Sequence, residues 1–121
     1  MIADNNRLLP QRTKQFALRA IRLFEALPAA KAAGVIGNQL LRSATSVAAN
    51  YRSACRARSK AEFISKMGIV EEEVDESLCW MELLVESGFV AKSRLAPLMK
   101  EAGEIAAMVV ASIRTARKRR G

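Results

Sequence analysis

The chain has 121 residues, 50% of them hydrophobic and 26% charged, which fits one domain (residues 1–121) large enough to bury its own core. Aromatic residues make up only 5%, so the composition favours helices, because strands prefer aromatic and β-branched side chains. The net charge is +8, and the lack of histidine excludes Ser–His and Cys–His nucleophile pairs and the Glu-x-x-His ligand sets of di-iron bundles.

The first predicted helix spans about residues 11–27. Apolar side chains recur along it at helical spacing and define one buried side. They are Phe16, Ala17, Ala20, Ile21, Phe24 and Leu27. Pro28 ends the helix, because the residue before a proline is pushed out of the α region. Pro28, Gly34 and Gly37 together predict that residues 28–37 form the longest connection.

The second predicted helix spans about residues 38–58 and divides into three faces at roughly 100° per residue. One face is apolar and one is basic, the basic one carrying Arg42, Arg52 and Arg56. The third is a stripe of small polar side chains formed by Gln39, Ser43, Ser46, Asn50 and Ser53. A monomeric bundle needs only two faces, so the stripe has two interpretations. It faces water or allows close helix approach within one chain, or its serines and Asn50 hydrogen-bond across a seam between subunits.

The third predicted helix spans about residues 59–87. Ser59 and Glu62 form a capping box, in which the serine accepts a hydrogen bond from the Glu62 N–H. Apolar residues follow at steps of three and four, which approximates the heptad seam of bundle packing. They are Phe63, Met67, Val70, Val74, Leu78, Met81 and Val85. Gly88 is predicted to end the helix as a left-handed cap.

The fourth predicted helix spans about residues 93–117. Pro97 is tolerated near its start because the first turn leaves backbone N–H groups unpaired. The connection from helix three is short, which makes these two helices antiparallel neighbours. The predicted fold is therefore all-α, an antiparallel four-helix bundle.

Charge is segregated along the chain. Residues 1–60 hold 11 basic and 2 acidic residues, residues 61–91 hold 1 and 8, and residues 92–121 hold 8 and 2. Part of this charge is expected to cancel between neighbouring helices, with arginines of the first two helices or of another subunit facing the acidic third helix. The remaining positive charge would attract a polyanion.

A basic tail, residues 114–121, closes the chain. Its cations are Arg114, Arg117, Lys118, Arg119 and Arg120. One interpretation is a frayed helix end whose cations suit the negative end of the helix dipole. The other is a tail that contacts phosphates, since basic clusters provide salt-sensitive, sequence-independent affinity. The candidate nucleic-acid contacts are therefore this cluster together with Arg42, Arg52 and Arg56.

Two motifs suggest a family. Ser46-Val47-Ala48-Ala49-Asn50, followed by Arg58-Ser59-Lys60-Ala61-Glu62-Phe63, resembles the pattern of the 23S rRNA-intervening-sequence family of four-helix-bundle proteins. The resemblance extends from about Phe16 to Ile113. It departs at Tyr51-Arg52-Ser53, where the family often has a small residue, Glu and Gly.

The resemblance implies an up-down-up-down bundle that is commonly assembled as a homopentamer. Some members of the family are encoded within ribosomal RNA insertions. A similar bundle serves as the basic accessory protein of diversity-generating retroelements, which associates with nucleic acid and a reverse transcriptase. No enzymatic activity comes with the resemblance.

The sequence as a whole favours a non-enzymatic protein with no cofactor and no small-molecule substrate. We expect a cytoplasmic homo-oligomer that associates with RNA or DNA and not with membranes, since no apolar run approaches the roughly 20 residues that cross a bilayer. Cys55 and Cys79 are predicted to be reduced core residues. The alternative is a protein-interaction or scaffold module. The least favoured hypothesis is a metal-dependent enzyme that uses the carboxylates of residues 71–76.

Overall fold

Four helices form the chain in a computed structural model that describes residues 2–119, with side chains described from Leu8 to Arg119. In chain order they are α1 (Ile2–Glu25), α2 (Lys31–Cys55), α3 (Lys60–Glu86) and α4 (Lys92–Lys118). Each helix packs on the next and α4 packs back on α1, with the most extensive interface between α2 and α3. Because the connections are short, consecutive helices run antiparallel. The predicted all-α four-helix bundle is confirmed.

A single core runs through the bundle. Its largest completely buried side chains come from all four helices and are Phe16, Leu9, Leu40, Met67, Met81, Leu84, Leu95, Ile105, Val47, Val70, Val74 and Val109. The buried stripe of α3 differs from the prediction. Phe63, Leu78 and Val85 are only half-buried, whereas Ser77 and Leu84 are completely buried. The reason is that α3 packs against both α2 and α4, so residues beside the predicted seam also turn inward.

The first helix begins at Ile2, well before the predicted start near residue 11. Pro10 lies inside it and donates no N–H to the helical ladder. Leu9 and Phe16 on either side of the proline are completely buried, so core packing holds the helix through this position. α1 ends at Glu25, where the next two N–H groups bond to carbonyls three residues back.

The second helix begins at Lys31, so most of the predicted connection over residues 28–37 is helical. A buried glycine explains the difference. A Cβ atom at Gly37 would lie 2.4 Å from Cδ1 of Leu27 and 3.2 Å from Cδ1 of Phe24. Glycine is therefore present because α2 approaches the end of α1 closely, and not because the chain turns there. α2 ends at Cys55, before the predicted end near residue 58.

The predicted start and end of α3 are confirmed within one residue. Ser59 Oγ accepts a hydrogen bond from the Glu62 N–H at 3.1 Å, as a capping box requires. The Glu62 carboxylate in turn accepts from the Arg58 N–H at 3.4 Å. At the other end Gly88 adopts a φ of +81°, which only glycine enters without strain. The bounds of α4 also agree with the prediction within one residue.

Candidate nucleic-acid interface

One end of the bundle collects the basic segments of the sequence. Because the helices alternate in direction, the C-terminal ends of α2 and α4 lie beside the N-terminal end of α3. Lys60 Nζ donates to the Arg119 carbonyl and thereby joins the start of α3 to the end of α4. Residues 49–66 and 105–119 build this surface, here named the basic end. They hold nine basic residues and a single carboxylate, Glu62.

Most of the predicted nucleic-acid contacts lie at the basic end. Arg52 on the last turn of α2 and Arg56 directly after its end are exposed there. The exposed cations from α4 are Arg114, Arg117, Lys118 and Arg119. Arg120 lies outside the described residues. The fold therefore brings together two groups of cations that belong to different halves of the sequence.

A recess of about 420 Å³, here named the basic recess, opens at this end between α2 and α3. Its lining consists of Ala49, Arg52, Ser53, Arg56, Arg58, Glu62 and Lys66. Lys66 Nζ donates to Ser53 Oγ at 2.8 Å, which holds the lysine side chain against the α2 wall. Four cations therefore surround the recess against one carboxylate, and the potential inside it is positive.

Sequence reasoning missed two members of this site, Arg58 and Lys66. Arg58 lies in the turn between α2 and α3, and Lys66 lies on the second turn of α3. The contact of Lys66 with Ser53 depends on the register of α2 against α3, which the sequence does not give.

A larger groove of about 660 Å³ lies on the other side of Arg52 and Arg56, between α1 and α2. Its walls are mainly small side chains, with Lys14 contributed by α1. Tyr51 lines it and is only 6% exposed. Burial is the larger cause, and a hydrogen bond with Cys55 the smaller one, of a raised pKa of the Tyr51 hydroxyl.

The prediction that Cys55 and Cys79 are core residues is wrong, since both are exposed free thiols.

Arg42 does not belong to the basic end. Its guanidinium lies 3.3 Å from a carboxylate oxygen of Glu73 and also contacts Glu76, both on α3. The predicted pairing of a helix-two arginine with the acidic helix is thus confirmed. As a nucleic-acid contact, Arg42 stays a prediction, and a phosphate there would have to compete with these two carboxylates.

Arg12 makes a similar pair that sequence reasoning did not identify. It lies 2.6 Å from Glu101 and 2.6 Å from Glu104 on α4. Hydrogen bonds to these carboxylates raise the pKa of Arg12 further above its ordinary value. The acidic partners belong to α4 and not to the acidic α3, so charge segregation along the chain does not predict this contact.

The small polar stripe of α2 contacts α3 within the same chain. Ser43 Oγ accepts from Ser77 Oγ at 2.9 Å, and both serines are completely buried. Ser46 Oγ donates to Glu73 at 2.8 Å, and Asn50 donates to Ser46 Oγ at 2.7 Å. These contacts favour the interpretation of close helix approach within one chain.

The predicted subunit seam changes accordingly. Ser43 is removed from it, because a side chain with no exposed surface cannot contact a second subunit. Ser46, Asn50 and Ser53 are partly exposed, and their place at a seam stays a prediction.

Two further features of the chain bear on the hypotheses. Among the side chains described, from Leu8 to Arg119, Cys, Asp and Glu form no group of three or more at metal-binding distance. Glu73 and Glu76 of the acidic run instead face Arg42. None of the four helices, over the residues described, is long and apolar enough to cross a membrane.

Comparison with known proteins adds a family and a structural neighbour. Residues 7–111 match the family described as "23S rRNA-intervening sequence protein". The crystal structure of a protein of unknown function from the S23 ribosomal protein family of Bacteroides thetaiotaomicron is 30% identical to this chain. The similarity covers 87% of this chain and 97% of that one, with a TM-score of 0.82. No curated protein matches the chain.

Proposed function

The chain belongs to the 23S rRNA-intervening sequence protein family, and from this premise we propose that it is a non-enzymatic, cytoplasmic homo-oligomer that associates with RNA or DNA through its basic end. The family resemblance and its four-helix fold are confirmed. A pentamer is the expected assembly, by resemblance to the family.

One observation carries the proposal of nucleic-acid binding. The basic segments at the ends of α2 and α4 lie at the same end of the bundle, on either side of the start of α3, and residues 49–66 and 105–119 contain nine cations and only Glu62 as an acid. Arg12 and Arg42, by contrast, are paired with carboxylates of α4 and α3. The basic end therefore carries a large surplus of positive charge, as a polyanion would require.

Binding through this surface should depend on charge and hardly on sequence. Lysine and arginine contacts to phosphates release counterions but do not distinguish bases. Among the described side chains at the basic end no exposed aromatic ring is available to stack on a base, since Tyr51 is buried and Phe63 is half-buried. In an oligomer the basic end is repeated on every subunit, so modest contacts would add through multivalency.

Exposed apolar side chains support self-association. Leu18 and Ile21 are 38% and 37% exposed on α1, and Ile69 and Leu83 are 40% and 42% exposed on α3. Leu18 and Ile21 are neighbours at i,i+3 on α1, so together they expose apolar surface that a second subunit would cover. Sedimentation velocity at micromolar concentration tests the assembly directly, and Leu18→Glu with Ile21→Glu should shift it toward monomers. A wild-type chain that sediments as a monomer contradicts the homo-oligomer.

Nucleic-acid binding is tested with labelled RNA and DNA at about 50 and 200 mM salt, a range over which several phosphate contacts cause a large loss of affinity. The test variant is Arg52→Gln with Arg56→Gln at the basic end. The matched control is Arg22→Gln with Arg94→Gln, two exposed arginines near the opposite end of the bundle. Both double variants lose the same charge, so a general effect of net charge is cancelled.

The expected result is a weaker and less salt-dependent interaction for the basic-end variant only. Two lost phosphate contacts should flatten the slope of log affinity against log salt by about 1.8 on duplex DNA or about 1.4 on single strands. Removal of residues 117–121 should act in the same direction. Absence of binding at the lower salt would reject the proposal and favour the scaffold alternative, in which the cations contact a protein partner.

A further inference from the structure

We infer that the basic recess between α2 and α3 binds a phosphate monoester dianion, the group found at the phosphorylated end of a nucleic-acid strand. The inference rests on the proposed function and adds to it. The proposed surface attracts the backbone of any strand, whereas the recess would anchor one particular group, a terminal phosphate.

The recess is built from three parts of the hairpin. Arg52 lies on the last turn of α2, Arg56 directly follows its end, Arg58 lies in the turn, and Lys66 lies on α3. The charges therefore approach an occupant from two helices and the turn that joins them. An arginine guanidinium can give two parallel hydrogen bonds to the oxygens of one phosphate, while a lysine acts as a point charge.

The hydrogen bonds of the recess leave the cations available. Lys66 is held by the neutral hydroxyl of Ser53 at 2.8 Å, so it is positioned without losing its charge. Glu62 accepts the backbone N–H of Arg58 at 3.4 Å as part of the helix cap. Among the described residues no ion pair involves the side chain of Arg52, Arg56 or Arg58. The recess therefore keeps an excess of about three positive charges.

This charge and shape favour a monoester over a backbone diester. A terminal phosphate carries about −1.5 to −2 at pH 7 and has three free oxygens, whereas an internal diester carries −1 and has two. A concave site with cations on several sides contacts all three oxygens at once. The volume of about 420 Å³ exceeds what the phosphate group itself requires, so part of the attached sugar fits as well.

The surroundings of the recess give the rest of the strand a path. Ala49, Arg52 and Arg56 line both the basic recess and the 660 Å³ groove between α1 and α2. A strand whose end lies in the recess would cross these arginines and continue along the groove, whose lining includes Lys14.

The test compares one single-stranded oligonucleotide in three forms, with a 5′-phosphate, with a 3′-phosphate and with hydroxyls at both ends. Fluorescence anisotropy measures the affinity of the full chain for each at one salt concentration. We expect about tenfold tighter binding of a phosphorylated form, since one additional charge-assisted contact set has that order of effect. The phosphorylated end that gains affinity identifies which terminus the recess accepts.

Matched variants connect the preference to the recess. Arg58→Gln with Lys66→Gln removes two charges from its lining, while Arg114→Gln with Arg117→Gln removes two exposed charges from α4 outside it. The recess variant should bind all three oligonucleotides with equal affinity. The α4 variant should bind all three more weakly but keep the tenfold preference. Thermal unfolding of both variants verifies that the bundle is intact.

A change of pH provides a second readout. The second pKa of a phosphate monoester is about 6, so the preference should shrink between about pH 7.5 and 5.5 as the dianion gains a proton. The chain contains no histidine, so its own charge changes little over this range. A preference that does not change with pH would show that the dianion is not the group recognised.

The outcomes separate this inference from the proposed function. Salt-dependent binding with equal affinity for all three oligonucleotides overturns the recess as a phosphate site and leaves the proposed function standing. If no oligonucleotide binds, titration with inorganic phosphate, followed by amide chemical shifts around the recess, decides the matter. Shifts confined to residues 52–66 would support a phosphate site without nucleic acid, and no shifts would overturn both proposals.

Discussion

Gly34 and Gly37 of α2 offer a matched pair of substitutions that separates helix preference from packing. Both lie in the interior of the helix, where glycine is unfavourable. A Cβ atom at Gly34 would meet no neighbouring atom within 4 Å, whereas one at Gly37 would lie 2.4 Å from Leu27 Cδ1 and 3.2 Å from Phe24 Cδ1. The two changes to alanine add the same methyl group to the same helix, and only one of them collides with the end of α1.

The expected effects have opposite directions. Gly34→Ala should raise the free energy of unfolding by up to about 1 kcal/mol, because alanine is the better helix former. Gly37→Ala gains the same preference but overfills the contact with α1, at a typical cost of about 1–3 kcal/mol. Leu27 Cδ1 is the end of a side chain that can rotate, so the lower part of this range applies. The net effect at Gly37 should lie between neutral and a loss of about 1 kcal/mol.

Urea unfolding followed by circular dichroism measures both variants. Protein concentration must be held constant, since assembly makes apparent stability depend on it. Equal stabilisation by both substitutions would refute the close approach of α2 to α1 at Gly37. A loss of stability for Gly34→Ala would instead mean that residues 31–37 are not helical, which would restore the connection predicted from the sequence.

Three further predictions concern stability. Leu84→Ala, at a completely buried position, should lower the free energy of unfolding by about 2–5 kcal/mol. Leu78→Ala, at a half-buried position, should lower it clearly less. Equal losses of stability in urea unfolding would mean that the helical phase assigned to α3 is wrong. Ser59→Ala should cost about 0.5–2 kcal/mol through the lost cap, and an unchanged thermal midpoint would contradict the cap. The pKa of Tyr51 is raised above its ordinary value of 10.0, so its contribution to stability is present below about pH 10 and is lost as the pH rises further. Tyr51→Phe should therefore lose less stability than wild type between about pH 9 and 11, and parallel profiles of urea midpoint against pH would reject this.

Features that depend on neighbouring residues were predicted correctly from the sequence. The Ser59–Glu62 cap and the Gly88 terminus involve side chains within one helical turn of each other, so the local sequence contains all that is needed. The predicted starts of α1 and α2 were wrong, because they depend on residues that are distant in the sequence. Pro10 and Gly37 are normally helix breakers, and only packing against distant residues makes them compatible with these helices.

The candidate site was predictable only in part. Exposed cations at Arg52 and Arg56 follow from the periodicity of α2, because helical spacing assigns each residue to a face. The sequence predicted that arginines of the first two helices would pair with the acidic third helix. It did not show that Arg42 would be the arginine that pairs with Glu73 and Glu76. The basic recess was not predicted, because it depends on the register of α2 against α3 and on the turn between them.

The sequence by itself determined the fold class, the number of helices, the family and the surplus of positive charge. These properties follow from composition, from periodicity and from short motifs, none of which requires knowledge of distances between helices. Only the tertiary structure decided which cations keep their charge available for a partner. Arg12 and Arg42 lie within ion-pair distance of acids on neighbouring helices, whereas Arg52, Arg56 and Arg58 face a recess with one carboxylate. Coulomb attraction depends on the distance between charges, and in a bundle that distance is set by how the helices pack.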